Sequence, residues 1–188
     1  MTTIETSRLV LRRWHEHDVA PMAAVNADPE VMRWIADGRV RTEAQTRLGI
    51  EAMERTWDTD GIGMFAVELR ATGELAGFTG FAVPNFLPEV LPAIEIGWRL
   101  GRAFWGRGIA TEAAAAALRF GFEEHGLDRV VSIAQIGNAA SERVMAKIGL
   151  RPERETVTPG TGRAVRVHHL TRAEYRGAAA VPTPPGDA

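Results

Sequence analysis

The stretch Phe104–Ala113, FWGRGIATEA, constrains the fold of this chain more than any other. It lies between an alternating run, AIEIGWRL, and an alanine-rich run, AAAAAL, so a strand must pass through two glycines directly into a helix. The first backbone N–H groups of such a helix have no intrahelical partners, and the aligned peptide dipoles favour negative charge there. The stretch reads as an anion cradle, or at least as a tight strand-to-helix turn that glycine permits. Arg102 and Arg107, which flank the glycines, favour the cradle.

Two familiar phosphate motifs do not fit. GRAFWGRG approaches the P-loop, but Arg107 stands where lysine is needed and Gly108 where the magnesium-binding hydroxyl belongs. GRGIAT approaches the dinucleotide fingerprint, with Thr111 at its third glycine. Asp128 even follows at the expected interval of roughly 20 residues, yet it precedes the next strand, RVVSIAQI, instead of ending it. A second polar cluster, Asn138, Ser141 and Lys147, comes after that strand in NAASERVMAKIGL. In a strand–helix–strand unit both clusters emerge at one edge of the sheet, which implies a cleft able to take a long phosphate-bearing ligand.

The rest of the chain supplies the sheet. RLVLRRW reads as a strand, Asp18 as the cap of a helix that Asp28-Pro29 interrupts, and Thr42 with Gln45 as a capping box for a second helix. Leu48, Met53 and Trp57 are expected on the buried side of that helix. MFAVELR and LAGFTGFAV form a hairpin, a proline-punctuated loop PNFLPEVLP follows, and RETVT with AVRVHHLT closes the fold. The glycine turn feeds a helix over Thr111–His125. This order predicts an α/β (α+β) architecture: a mixed, mostly antiparallel sheet of about six to seven strands with helices on both faces. A single domain over 1–176 is expected, with 177–188 a flexible tail rich in small residues and proline.

Charge and composition remove whole classes of function. The 22 basic and 24 acidic residues are interspersed, so no uniform field gathers nucleic acid or an anionic membrane. With no cysteine, disulfides, thiol nucleophiles and cysteine-bound zinc are excluded. The N-terminus lacks the apolar core of a signal peptide and no run of about 18 apolar residues occurs, so a cytoplasmic protein is expected.

WGRGIA resembles the acyl-CoA signature [QR]-x-x-G-x-[GA] of the GCN5-related N-acetyltransferases (GNAT), with Gly108 and Ala110 matching and Trp105 replacing the first Gln or Arg. EIGWRLGRAFWGRGIATEA, NAASERVMAKIGL, TSRLVLRRW and TGELAGFTGF look like the RimJ/RimL branch, and the similarity covers about residues 6–175. The resemblance implies a splayed central strand pair and acetyl-CoA as donor. It implies that backbone groups across Trp105, Gly106, Arg107, Gly108, Ile109, Ala110 and Thr111 hold the pyrophosphate. It also implies that Trp98, Arg99 and Leu100 lend backbone to the pantetheine arm, and that Asn138 contacts the CoA arm as well as capping its helix.

Acetyl transfer to an amine needs a base and some means of protonating the departing thiolate. Many family members place a tyrosine seven residues beyond the asparagine, but here Met145 occupies that position and the sole tyrosine is Tyr175. Ser141, one helical turn from Asn138, is the substitute acid that the resemblance suggests; its alternative is an ordinary helix-surface serine. A thiolate with a pKa near about 8.5 needs little such help. Glu95 is the first choice of base, since a carboxylate among Ile94 and Ile96 has its pKa raised; its alternative is a structurally paired glutamate. Glu153, Glu155, His168 and His169 are further candidates for the base. The two histidines lack a carboxylate or cysteine at ligand spacing, so no metal site is expected. Trp34, Phe86 and the proline loop are candidates for the acceptor wall, with Trp57 assigned to the core.

The expected activity is acetyl-CoA-dependent acetylation of a primary amine, either a protein or peptide N-terminus, including that of a ribosomal protein, or a small molecule. A CoA-binding protein without catalysis and a nicotinamide-dependent enzyme are the alternatives. Relatives are often homodimers, and FLPEVLP is a candidate interface.

Overall fold

The computed structural model of the chain describes residues 2–179. Eight strands form one sheet: β1 (Ile4–Glu5), β2 (Leu9–Arg12), β3 (Met64–Leu69), β4 (Leu75–Ala82), β5 (Ile94–Leu100), β6 (Arg129–Gln135), β7 (Arg151–Val157) and β8 (Ala164–Thr171). Their order is β1-β2-β3-β4-β5-β6-β8-β7. Every neighbouring pair is antiparallel except β5 and β6. The two-residue β1 accounts for the count above the expected six to seven. A sheet with one parallel crossover is not the doubly wound fold of a nicotinamide enzyme. Asp128, at the start of β6, is 94% exposed and pairs with Arg172 at 3.1 Å, so it serves no ribose site beside the glycine turn.

Helices α1 (Val19–Ala27), α2 (Pro29–Met32) and α3 (Glu43–Asp60) precede β3, while α4 (Ile109–Arg119), α5 (Ala139–Lys147) and α6 (Arg172–Ala179) follow β5, β6 and β8. The two faces of the sheet have separate cores. Trp14, Met22, Val25, Val31, Ile50 and Phe78 fill one beneath α1 and α3. The larger core packs α4 through Ala113, Ala114 and Ala117 against Phe65, Phe81 and Ile96. Fully buried alanines let the helix axis lie close to the strands, which fixes where its N-terminus emerges.

Several local expectations change. α4 begins at Ile109 and passes after Arg119 into a π-helical turn over Phe120–Glu124, so the expected start at Thr111 was two residues late. Asp18 does not cap α1 through its side chain; it is buried and accepts from Arg12 Nη1 and Nη2 at 2.7 and 2.9 Å. The Thr42–Gln45 capping box is present. On α3, however, Leu48 is 62% exposed, whereas Thr46 is buried because Asn26 Nδ2 donates to its hydroxyl at 3.0 Å. α6 continues to Ala179, past the boundary expected at 176; residues 180–188, most of the expected tail, lie outside the described residues.

Candidate active site

The site begins where the central strands part. β5 and β6 share only the register pairs Ile94–Val130 and Glu95–Val131, while β5 stays paired with β4 as far as Leu100. Gly101 N–H donates to the Ala76 carbonyl at 3.0 Å and the Thr79 hydroxyl to the Gly97 carbonyl at 3.0 Å. By strand alternation the backbone of Gly97, Arg99 and Gly101 therefore faces β4, and that of Trp98 and Leu100 faces the opening. This corrects the expectation for Arg99: its amide is turned away, and its side chain has a different setting. Trp105 Nε1 donates to the Leu100 carbonyl at 2.9 Å, joining the open strand edge to the glycine turn.

Past a tight turn at Arg102–Phe104, Gly106 and Gly108 take left-handed φ values of +72° and +75°. Nothing lies within 4 Å of the point where a Gly106 Cβ would sit, so that side of the turn is open. The first helical bond runs from Glu112 N–H to the Gly108 carbonyl at 3.0 Å, which leaves the amides of Ile109, Ala110 and Thr111 without helical acceptors. Arg107 is exposed, stacks at 5.8 Å on Phe104, and pairs with no carboxylate among the described residues. Arg102 is different: Asp28 holds it at 2.7 Å, so its charge is already matched.

A brace that the sequence did not disclose holds this turn. Glu112 accepts from Thr6 Oγ1 at 2.6 Å and Arg8 Nε at 2.6 Å, and Arg8 Nη1 donates to the Arg107 carbonyl at 2.8 Å. Partners more than ninety residues apart leave no local pattern to read.

Across the opening, Asn138 Oδ1 accepts from the Ser141 amide at 3.2 Å and caps α5, as expected. Ser141 is half-buried beside it. Lys147 stands in the last turn of α5, at the far end from Asn138, so it is not part of that cluster. Met145 is 1% exposed and belongs to the core. Tyr175 stacks on Phe122 and donates to Glu123 at 3.0 Å, so it offers no phenol to Ser141's neighbourhood.

Glu95 lies at the fork itself, on the face of β5 opposite Ile96, with Ala82 and Val131 as register neighbours. Protein surrounds it, yet it keeps some solvent contact, as a group on the floor of a cleft does. Burial pushes its carboxyl up to about 8, against the pull of the Ile133 backbone amide. The competing bases are engaged elsewhere. Glu153 pairs with Arg129 at 2.5 Å, Glu155 with Arg166 at 2.6 Å, and His169 lies 3.7 Å from Glu153 and 3.9 Å from Glu174. His168 is buried, in register with Ser132, and burial lowers its pKa.

The segment 33–38 crosses from α2 to the end of β6. Arg163 donates from Nη1 to the Arg33 carbonyl at 3.0 Å and to Gln135 Oε1 at 2.7 Å, and from Nη2 to the Asp37 carbonyl at 2.8 Å. Trp34 lies over Gly137, where a Cβ would come within 3.6 Å of the indole. Trp57 is a core residue, and Phe86 is 50% exposed. His15, His17 and Asp18 are the one grouping of metal-ligating side chains among the described residues, and Arg12 already holds both Asp18 oxygens.

An open strand edge, a glycine turn with free amides and a deep carboxyl thus meet at one fork. Residues 8–151 match the family model described as an acetyltransferase (GNAT) domain, and the chain belongs to this family of acetyl-CoA-using acetyltransferases. Among relatives, the FsC-acetyl coenzyme A-N(2)-transacetylase of Aspergillus fumigatus is 33% identical over 185 residues, covering 92% of this chain and 77% of that one. A GNAT-family acetyltransferase from Bacillus anthracis superposes with a TM-score of 0.76 at 28% identity, over 92% of this chain and 99% of that one. RimL, the ribosomal L7/L12 alpha-N-protein acetyltransferase solved with coenzyme A, shares the fold: TM-score 0.75, 18% identity, 90% and 98% coverage.

Proposed function

We propose that the protein is an acetyl-CoA-dependent N-acetyltransferase of the RimJ/RimL type that acts on a primary amine, with Glu95 as base. The observation that carries the reading is the position of Glu95, at the point where β5 leaves β6 and beside the free backbone edge of Trp98. The donor fits the fork: Gly106 and Gly108 open the turn, the amides from Ile109 to Thr111 are free donors, and Arg107 is an unmatched cation. Those groups would hold the pyrophosphate, and the edge at Trp98 and Leu100 would hold the pantetheine arm beside Asn138. When bound, acetyl-CoA supplies a thioester carbonyl ready for attack.

Glu95, its carboxyl held near neutrality, accepts the proton of an incoming ammonium directly or through water, freeing the amine for direct attack. The Trp98 N–H polarises the carbonyl that is attacked. Ser141 donates toward the leaving sulfur, a minor contribution because a thiolate leaves readily. The segment 33–38 with Trp34 walls the acceptor side. Acceptors of this reading are N-terminal α-amines of proteins or peptides and small primary amines. In the loop between β4 and β5, Leu87 and Val90 are buried, leaving Val83, Phe86 and Leu91 exposed as the apolar surface available to a second copy.

The test follows free thiol released from acetyl-CoA with a panel of N-terminal peptides and small amines. Turnover that requires an amine and leaves an N-acetyl product is expected. Tight CoA binding with no turnover on any amine would overturn the catalytic assignment.

A further inference from the structure

The face of β5 that carries Glu95 and Gly97 next presents Arg99, a guanidinium that the protein holds in place and leaves without a counter-charge. Nη1 donates to Asn26 Oδ1 at 2.7 Å, and Cζ lies 5.2 Å from the ring of Phe78, its register partner on β4. Asn26 is fixed in turn, since its Nδ2 donates to Thr46 at 3.0 Å. Nε is sealed from solvent with no partner, and Nη2 donates to no described residue. Nη2, which is not sealed, is therefore the donor open to a carboxylate or phosphate, while Nε stays buried behind it.

Comparison within the chain sharpens the point. Arg12, also largely buried, is matched by Asp18 at 2.7 Å and Glu68 at 2.8 Å. No described carboxylate lies within ion-pair distance of Arg99. Arg41, whose amide donates to the Asn26 carbonyl at 3.0 Å, adds a second cation instead, and no described acid pairs with it either. Burial and then Arg41 push the Arg99 pKa down to about 10, which still leaves it charged at neutral pH.

Gly97 lies between Glu95 and Arg99, and strand spacing sets it about 7 Å from each. A Cβ at Gly97 would meet only the methyl of the half-buried Met64, at 3.7 Å, so no backbone lies over this position. We infer that Arg99, supported by Arg41, recognises an anion on the acceptor, so that the substrate is a small primary amine carrying a carboxylate or phosphate. This rests on the acetyltransferase reading with Glu95 as base. It disfavours polyamines and aminoglycosides, whose extra cations would face two arginines.

The experiment uses the whole protein with acetyl-CoA and matched pairs of amines: amino acids against their carboxamides, phosphoethanolamine against ethanolamine, and spermidine as the cationic control. The anionic member of a pair should have the higher kcat/KM by about 10-fold or more. Whichever pair shows the larger ratio identifies carboxylate or phosphate. Arg99→Gln should collapse that ratio chiefly through KM while leaving the calorimetric affinity for CoA unchanged, and Arg99→Lys should keep part of it. Because Arg99→Gln also loses the Asn26 contact, Arg41→Gln is the second variant; it should reduce the ratio with an unchanged melting temperature. Equal or inverted ratios, a ratio that survives Arg99→Gln in a folded protein, or acetyl-CoA bound without turnover of any anionic amine would each overturn the inference. Failure of the protein to bind acetyl-CoA would defeat the acetyltransferase reading itself, whereas turnover without anion preference defeats the inference alone.

Discussion

Single residues carry the chemistry through their surroundings. Glu95 is an ordinary strand glutamate by composition, and its carboxyl rises to about 8 from the usual 4.5 chiefly because the fork buries it. In the acid-to-neutral range the rate should climb with pH toward that value; Glu95→Gln should lower kcat by about 100-fold or more and flatten this limb, as read from pH–rate profiles. The same shift has a cost in stability. Between 4.5 and about 8 the folded chain holds a proton that the unfolded chain has released, so stability falls as pH rises through this window. Thermal melts of Glu95→Gln should lack that decline. Asp18 shows the opposite sign. Burial alone would raise its pKa, but hydrogen bonds from Arg12 and the His15 amide outweigh burial and lower it below 3.8. Its contribution is therefore present above 3.8 and lost as the pH falls through the lowered value. Asp18→Asn should destabilise the protein by about 3 kcal/mol in denaturant melts at neutral pH, because Arg12 is left partly unmatched.

At the scale of elements, the turn into α4 was the most legible part of the chain. Two glycines between a strand and an alanine-rich helix admit few geometries, and both adopt the left-handed conformation that only glycine takes readily. Gly108→Val should strain this turn and crowd Arg8, whose Nη2 is 3.4 Å from the added Cβ position. Calorimetry should then show CoA affinity reduced by about 10-fold or more, with circular dichroism showing a folded chain. The Asn138 cap and the Thr42–Gln45 box were legible for the same reason: each is a bond between residues three apart. The face of α3 was not. Leu48 follows the apolar pattern yet is exposed, and Thr46 breaks the pattern yet is buried, because a partner from α1 satisfies its hydroxyl. Local hydrophobicity carries no record of such a partner.

For the whole molecule, the decisive feature is a strap between halves of the sheet. Arg163, in the β7–β8 connection, donates to carbonyls at 33 and 37 and to Gln135, tying segment 33–38 to the end of β6 across about 130 residues of sequence. Arg163→Ala should raise the acceptor KM several-fold, leave CoA affinity nearly unchanged, and speed hydrogen exchange at residues 33–38. No helix among the described residues is long and apolar enough to cross a membrane.

The sequence by itself determined the local frame of this protein: the strand–glycine–helix turn, the capped helix opposite it and the order of elements all follow from contacts within a few residues. The splay at Glu95, the Arg8–Glu112 brace, the unmatched Arg99 and the strap held by Arg163 were decided by tertiary structure alone. The physical reason is range. Turn geometry and helix capping are fixed by neighbouring dihedrals and hydrogen bonds, whereas burial, charge balance and the shape of a cleft depend on which distant segments the sheet brings together.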